Sequence, residues 1–87
     1  MGIFNRTKKV EQPSATEIAI NELQTFRKIG EKFNYLGIEM TVYSHFEYIP
    51  MVGIIPELKA NYVTKNGEIK SAYFRYSELP TLRKENS

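Results

Sequence analysis

Two strand-like segments rich in Tyr, Val, Ile and Phe flank Asn66-Gly67 in the run from Glu57 to Tyr76, ELKANYVTKNGEIKSAYFRY. Asn and Gly tolerate φ > 0 at both centres of a type I′ turn, whose twist matches that of paired strands. A β-hairpin is therefore the element that most restricts the fold. With Asn66-Gly67 as the whole loop, Lys65 faces Glu68, Thr64 faces Ile69, Tyr62 faces Ser71 and Ala60 faces Tyr73. Alternation then puts Leu58, Ala60, Tyr62, Thr64, Ile69, Ser71 and Tyr73 on one face. Glu57, Lys59, Asn61, Val63, Lys65, Glu68 and Lys70 fall on a solvent face. The pattern breaks beyond Lys70, and a bulge near Lys70–Ala72 is expected to turn Phe74 inward. Either way one pair, Tyr73 with Arg75 or Phe74 with Tyr76, looks outward.

A helix precedes the strands. Pro13 breaks whatever lies before it, and Ser14-Ala15-Thr16-Glu17 fits the capping box, in which Ser and Glu satisfy each other's exposed amides. Ala15, Ala19, Leu23 and Phe26 recur at helical spacing, Ile20 widens the stripe, and Ile18 lies off it. With Gly30 as the stop, the spacing predicts a helix over Ala15–Ile29. From Glu31 the chain turns to β character. Phe33 and Tyr35 alternate with polar residues, and Glu39–Phe46 reads as a longer strand. Met40, Val42, Ser44 and Phe46 fall on one of its faces, with Thr41, Tyr43, His45 and Glu47 on the other. Tyr48–Pro56 (YIPMVGIIP) is apolar but holds two prolines and a glycine, which predicts a long apolar loop rather than a strand. Ile49, Met51, Val52, Ile54 and Ile55 in it either fold back on the core or stand exposed for binding. After the hairpin, Ser77–Leu82 predicts a 3₁₀-like turn whose Leu79 and Leu82 plug an opening in the core.

The expected architecture is α+β and mostly β: an N-terminal helix followed by a small four- to five-stranded antiparallel barrel or curled sheet. The strand spacing over Gly30–Leu82, with its late 3₁₀ turn, is similar to that of SH3-like barrels. The alternative is an open sheet of four antiparallel strands with the helix across one face. The corresponding divisions are a flexible basic tail (1–13), a helix packing on the barrel (14–30), a small β-barrel domain (31–83) and a polar end (84–87).

Composition narrows the chemistry. The 87 residues contain no cysteine, one histidine and ten acidic residues, all of them Glu. Thiolate nucleophiles and cysteine metal sites are thereby excluded, and the usual carboxylate partner of a catalytic histidine is missing. His45, Glu47 and Tyr43 share one strand face, which makes His45 a surface histidine rather than a general base. No glycine pair has phosphate-loop spacing. The expectation is a non-enzyme without cofactor or metal. No stretch reaches the length of a membrane span, and a cytoplasmic location is expected. Of the net charge of +2, all resides in the first twelve residues, where Arg6, Lys8 and Lys9 oppose Glu11.

Two functional readings follow. The first is a protein-interaction or oligomerising module, whose partner is another protein or a second copy. It rests on surface aromatics and the apolar loop, with Tyr43, His45, Ile54, Ile55, Tyr73, Arg75 and Tyr76 as candidate contacts. The alternative is a single-stranded DNA- or RNA-binding barrel using Arg6, Lys8, Lys9, Lys70, Tyr73 and Arg75, since outward aromatics among basic residues can stack on unpaired bases.

Overall fold

The computed structural model describes residues 14–86, so the expected basic tail lies outside the described residues. Helix α1 spans Ala15–Phe26, and strands β1 to β4 span Lys32–Tyr35, Ile38–Ile49, Gly53–Val63 and Ile69–Arg75. A 3₁₀ turn at Tyr76–Glu78 leads into helix α2, Leu79–Glu85. The strands form one antiparallel sheet in the order β1-β2-β3-β4, a meander. β1 and β4 do not pair, so the sheet is open rather than closed into a barrel, and α1 lies across one face. The fold is α+β.

The capping box forms as the sequence requires. The Glu17 amide donates to Ser14 Oγ at 3.1 Å and the Ser14 amide donates to Glu17 Oε1 at 3.1 Å. Ala19, Leu23 and Phe26 are buried, and Ile18 stays exposed. The helix stops at Phe26, three residues before the expected end. Arg27 is already extended, because the chain must turn out to meet β2: the Gly30 amide donates to the Val42 carbonyl at 2.8 Å and the Val42 amide to the Glu31 carbonyl at 3.0 Å.

The turns fix the register of every face. Leu36 and Gly37 both have positive φ, +52° and +83°, and join β1 to β2 as a two-residue turn of the type expected for Asn66-Gly67. At Asn66-Gly67 itself only Gly67 has positive φ, +85°. The Gly67 amide donates to the Thr64 carbonyl and the Thr64 amide to the Glu68 carbonyl, so the loop holds three residues and Gly67 forms a bulge. The register is thereby one residue away from the expected one. Leu58 faces Phe74, Ala60 faces Ala72, Tyr62 faces Lys70, and Lys59 faces Tyr73. A one-residue slip moves a strand's side chains to the other face. Phe74 turns inward without any bulge at Lys70–Ala72, and Tyr73 and Arg75 turn outward.

The expected loop at Tyr48–Pro56 is instead a long hairpin. β2 runs on to Ile49 and β3 begins at Gly53, leaving only Pro50-Met51-Val52 as the turn. Pro50 suits the position after Ile49, Met51 takes φ +72°, and the Val52 amide donates to the Ile49 carbonyl at 3.0 Å. Pro56 lies outside the Glu57–Val63 stretch that pairs with β4, so on that side its missing N–H removes no ladder bond.

One apolar core results. Phe33, Met40, Val42, Leu58, Ala60 and Phe74 line the sheet face under Leu23 and Phe26 of α1. Phe26, Phe33 and Phe74 stack edge to face at 5.6 and 5.8 Å, and Tyr35 meets Phe74 at 4.8 Å. Leu79 and Leu82 of α2 are buried and close the core as expected. Asn86 ties the end of α2 to the edge strand: it accepts from the Asn34 amide at 2.9 Å and donates to the Asn34 carbonyl at 2.8 Å.

Candidate functional site

His45 is a core residue, not a surface one. The pairing of β2 with β3 shifts register between Val42 and Ser44 and again between Ser44 and Phe46. That irregularity swings the imidazole inward, to 3% exposure, and leaves Phe46 outside at 43%. His45 Nε2 lies 2.7 Å from the Arg27 carbonyl oxygen. A carbonyl only accepts, so Nε2 carries the proton. Arg27 Nη1 donates to the Phe26 carbonyl at 2.6 Å, and its Nε donates to the Lys32 carbonyl at 3.1 Å. Together the two side chains satisfy carbonyls that the end of α1 leaves without helical partners. His45 thus ties the end of α1 to the sheet from a buried position.

The remaining candidates separate into three places. Tyr73 stands outward on β4, 58% exposed, with the Lys59 ammonium 5.6 Å from its ring centre and Lys59 also paired with Glu47. Tyr43 is exposed on β2. Lys70 faces Tyr62 and so points to the opposite face from Tyr73, which separates two residues that the nucleic-acid reading grouped. Arg6, Lys8 and Lys9 lie outside the described residues.

Ile55, Arg75 and Tyr76 come together in the second place. They line a cleft of about 530 Å³ between the start of α1 and the β2–β3 hairpin, with Ala15, Ala19 and Ile49. The Tyr76 hydroxyl donates to Glu22 Oε1 at 2.5 Å, pinning the turn after β4 to α1. That bond, followed by loss of hydration and the charge of Glu22, holds the Tyr76 phenol above its usual 10.0, against a lowering by Arg83. Tyr76 is thus engaged within the fold.

The third place is the outer end of the β2–β3 hairpin. Phe46 faces Pro56 and Tyr48 faces Ile54 across the strands, and cross-strand partners share a face. Tyr48 is 62% exposed and Ile54 48%, while Met51 at the tip is fully exposed and Val52 largely so. From Tyr48 to Pro56 no residue carries a charge. The sequence singled out Ile54, Met51 and Val52; Phe46 and Tyr48 were missed because the register irregularity that exposes them leaves no mark on the hydrophobic pattern. Their only local signal is the pair of β-rich flanks around Pro50-Met51-Val52.

Among the described residues, no three His or Glu side chains gather at metal-ligand distances. No helix among the described residues is long and apolar enough to cross a membrane. Compared with known protein families, with curated proteins and with solved structures, the chain matches none.

Proposed function

We propose that this chain is a non-enzymatic binding module that recognises protein through the end of its β2–β3 hairpin. The observation that carries the reading is the uncharged face of Phe46, Tyr48, Ile54 and Pro56, continued by Met51 and Val52 at the tip. Taking about 150–250 Å² for a complete large side chain, the exposed parts of Phe46, Tyr48, Met51, Val52 and Ile54 amount to roughly 600 Å². The largest apolar patch on a typical monomer is about 300–600 Å² and is often functional. Aromatic and Met side chains with charge thinned out are also what the centres of protein interfaces contain.

The test is a photoreactive side chain placed at Val52 and, as control, at Lys65 in the other hairpin, activated in the cell that makes the protein. Adducts of defined mass from position 52 and none from position 65 support the reading. Equal or absent adducts at both positions reject it.

The alternative, binding of single-stranded nucleic acid, draws on one observation: Tyr73 stands outward between Lys59 and Arg75, where an aromatic ring beside cations can stack on a base. Residues 14–86 balance nine Lys or Arg against nine Glu, and Lys59 is already paired with Glu47, so the basic stripe that phosphate binding uses is weak here. Amide shifts at Lys59, Tyr73 and Arg75 on addition of an oligonucleotide, persisting at physiological salt, would put this reading first.

A further inference from the structure

We infer that the partner of the hairpin end is a second copy of this chain, the two hairpins packing face to face about a twofold axis. The inference rests on the proposed reading of that surface and commits it to one occupant. A twofold contact sets the same patch against itself, so each residue must tolerate its own kind across the interface. The patch meets that condition. Phe46, Tyr48, Ile54 and Pro56 form two adjacent cross-strand pairs on one face, and nothing between Tyr48 and Pro56 would repel a like copy. Of the two carboxylates that flank the patch, Glu47 is paired with Lys59 within one chain, and Glu57, next to Pro56, lies opposite Arg75 of β4. An uncharged surface equally offers nothing by which a strongly acidic or basic partner would be recognised.

Area points the same way. Roughly 600 Å² of exposed apolar side chain approaches the ~800 Å² per partner of a standard stable interface. Pro50 and the hairpin backbone, which also lie at this end, add to it. The geometry suits packing of two sheets, since a two-stranded ribbon with one apolar face stacks on another at about 10 Å. Among the described residues no element lies over that face of the ribbon beyond the four-stranded part of the sheet, and an isolated two-stranded hairpin is marginal in water. A chain this short also gains the most from association, because its own core is small.

Sedimentation equilibrium of the full chain decides the matter, run beside the double variant Tyr48→Ser/Ile54→Ser. Both positions are exposed, so the variant keeps the wild-type circular dichroism and melting behaviour of its monomer fold. The expected result is a wild-type dimer and a variant whose dissociation constant is at least about a hundredfold weaker, in line with truncating two central anchors. A wild-type chain that stays monomeric into the high micromolar range overturns the inference. So does a dimer that the double variant leaves intact, because its interface would lie elsewhere. Crosslinks from Val52 to a different protein, with a monomeric chain, would sink the twofold contact while leaving the binding-module reading standing. Should the double variant unfold, Met51→Glu at the fully exposed tip serves in its place, with the same expected loss of dimer.

Discussion

Replacing His45 with alanine separates a core histidine from a surface one by a wide margin. The imidazole is 3% exposed, and its Nε2–H bonds to the Arg27 carbonyl at 2.7 Å, where α1 ends. Truncation leaves that carbonyl without its partner, at a cost of about 1–3 kcal/mol for a buried group. It also leaves a void, and even the milder large-to-small core substitutions cost about 2 kcal/mol. Gln24, Lys28 and Ile29 border an opening beside His45, through which water can reach the carbonyl, so the lower part of the first range applies. The expected loss is about 2–4 kcal/mol, against a total stability of roughly 5–15 kcal/mol for a typical domain. Urea unfolding followed by circular dichroism measures it, with the slope unchanged and the midpoint lowered. The melting temperature should fall by at least about 8 °C, at roughly 4–8 °C per kcal/mol for a domain of this size. His45→Gln, which keeps an N–H donor of similar reach, should recover part of the loss. A change within about 0.5 kcal/mol, the range of ordinary surface substitutions, would refute the inward placement of His45 and the β2 irregularity with it.

Other perturbations test the turns and caps. Gly67→Ala should destabilise by about 1 kcal/mol because φ is +85° there, while Asn66→Ala should be near neutral, since Asn66 does not have positive φ; equal losses at both would restore the two-residue type I′ turn. Ser14→Ala removes the capping-box acceptor and should cost about 1 kcal/mol in urea unfolding, with no loss if the helix starts elsewhere. In a spectrophotometric titration one tyrosine should ionise later than the usual 10.0, and Glu22→Gln, which keeps an acceptor oxygen but removes the charge, should bring it part of the way down. Because the folded-state value is raised, this pairing supports the fold fully below the unfolded value near 10.0 and is lost as pH climbs through the raised one.

Local chemistry decided a good part of this protein in advance. The capping box at Ser14 and Glu17, the Ala19–Leu23–Phe26 stripe, the succession of antiparallel strands and the plug of Leu79 and Leu82 all depend on neighbours within a few residues, and all are legible in the sequence. The candidate surface was legible only in outline: an apolar stretch at Tyr48–Pro56 was evident, its strand conformation was not, because Pro50 falls in the turn and Pro56 where β4 has already ended. Tertiary packing decided the rest. Asn66-Gly67 suits either a two- or a three-residue loop, and the longer one is selected by setting Phe74 opposite Leu58 in the core. The irregularity in β2 reverses His45 and Phe46, one brought in to meet the end of α1 and the other put out on the hairpin face. Side chains alternate with a period of two, so a single added residue in a strand pairing exchanges inside for outside. That choice belongs to the whole core, and no local window contains it.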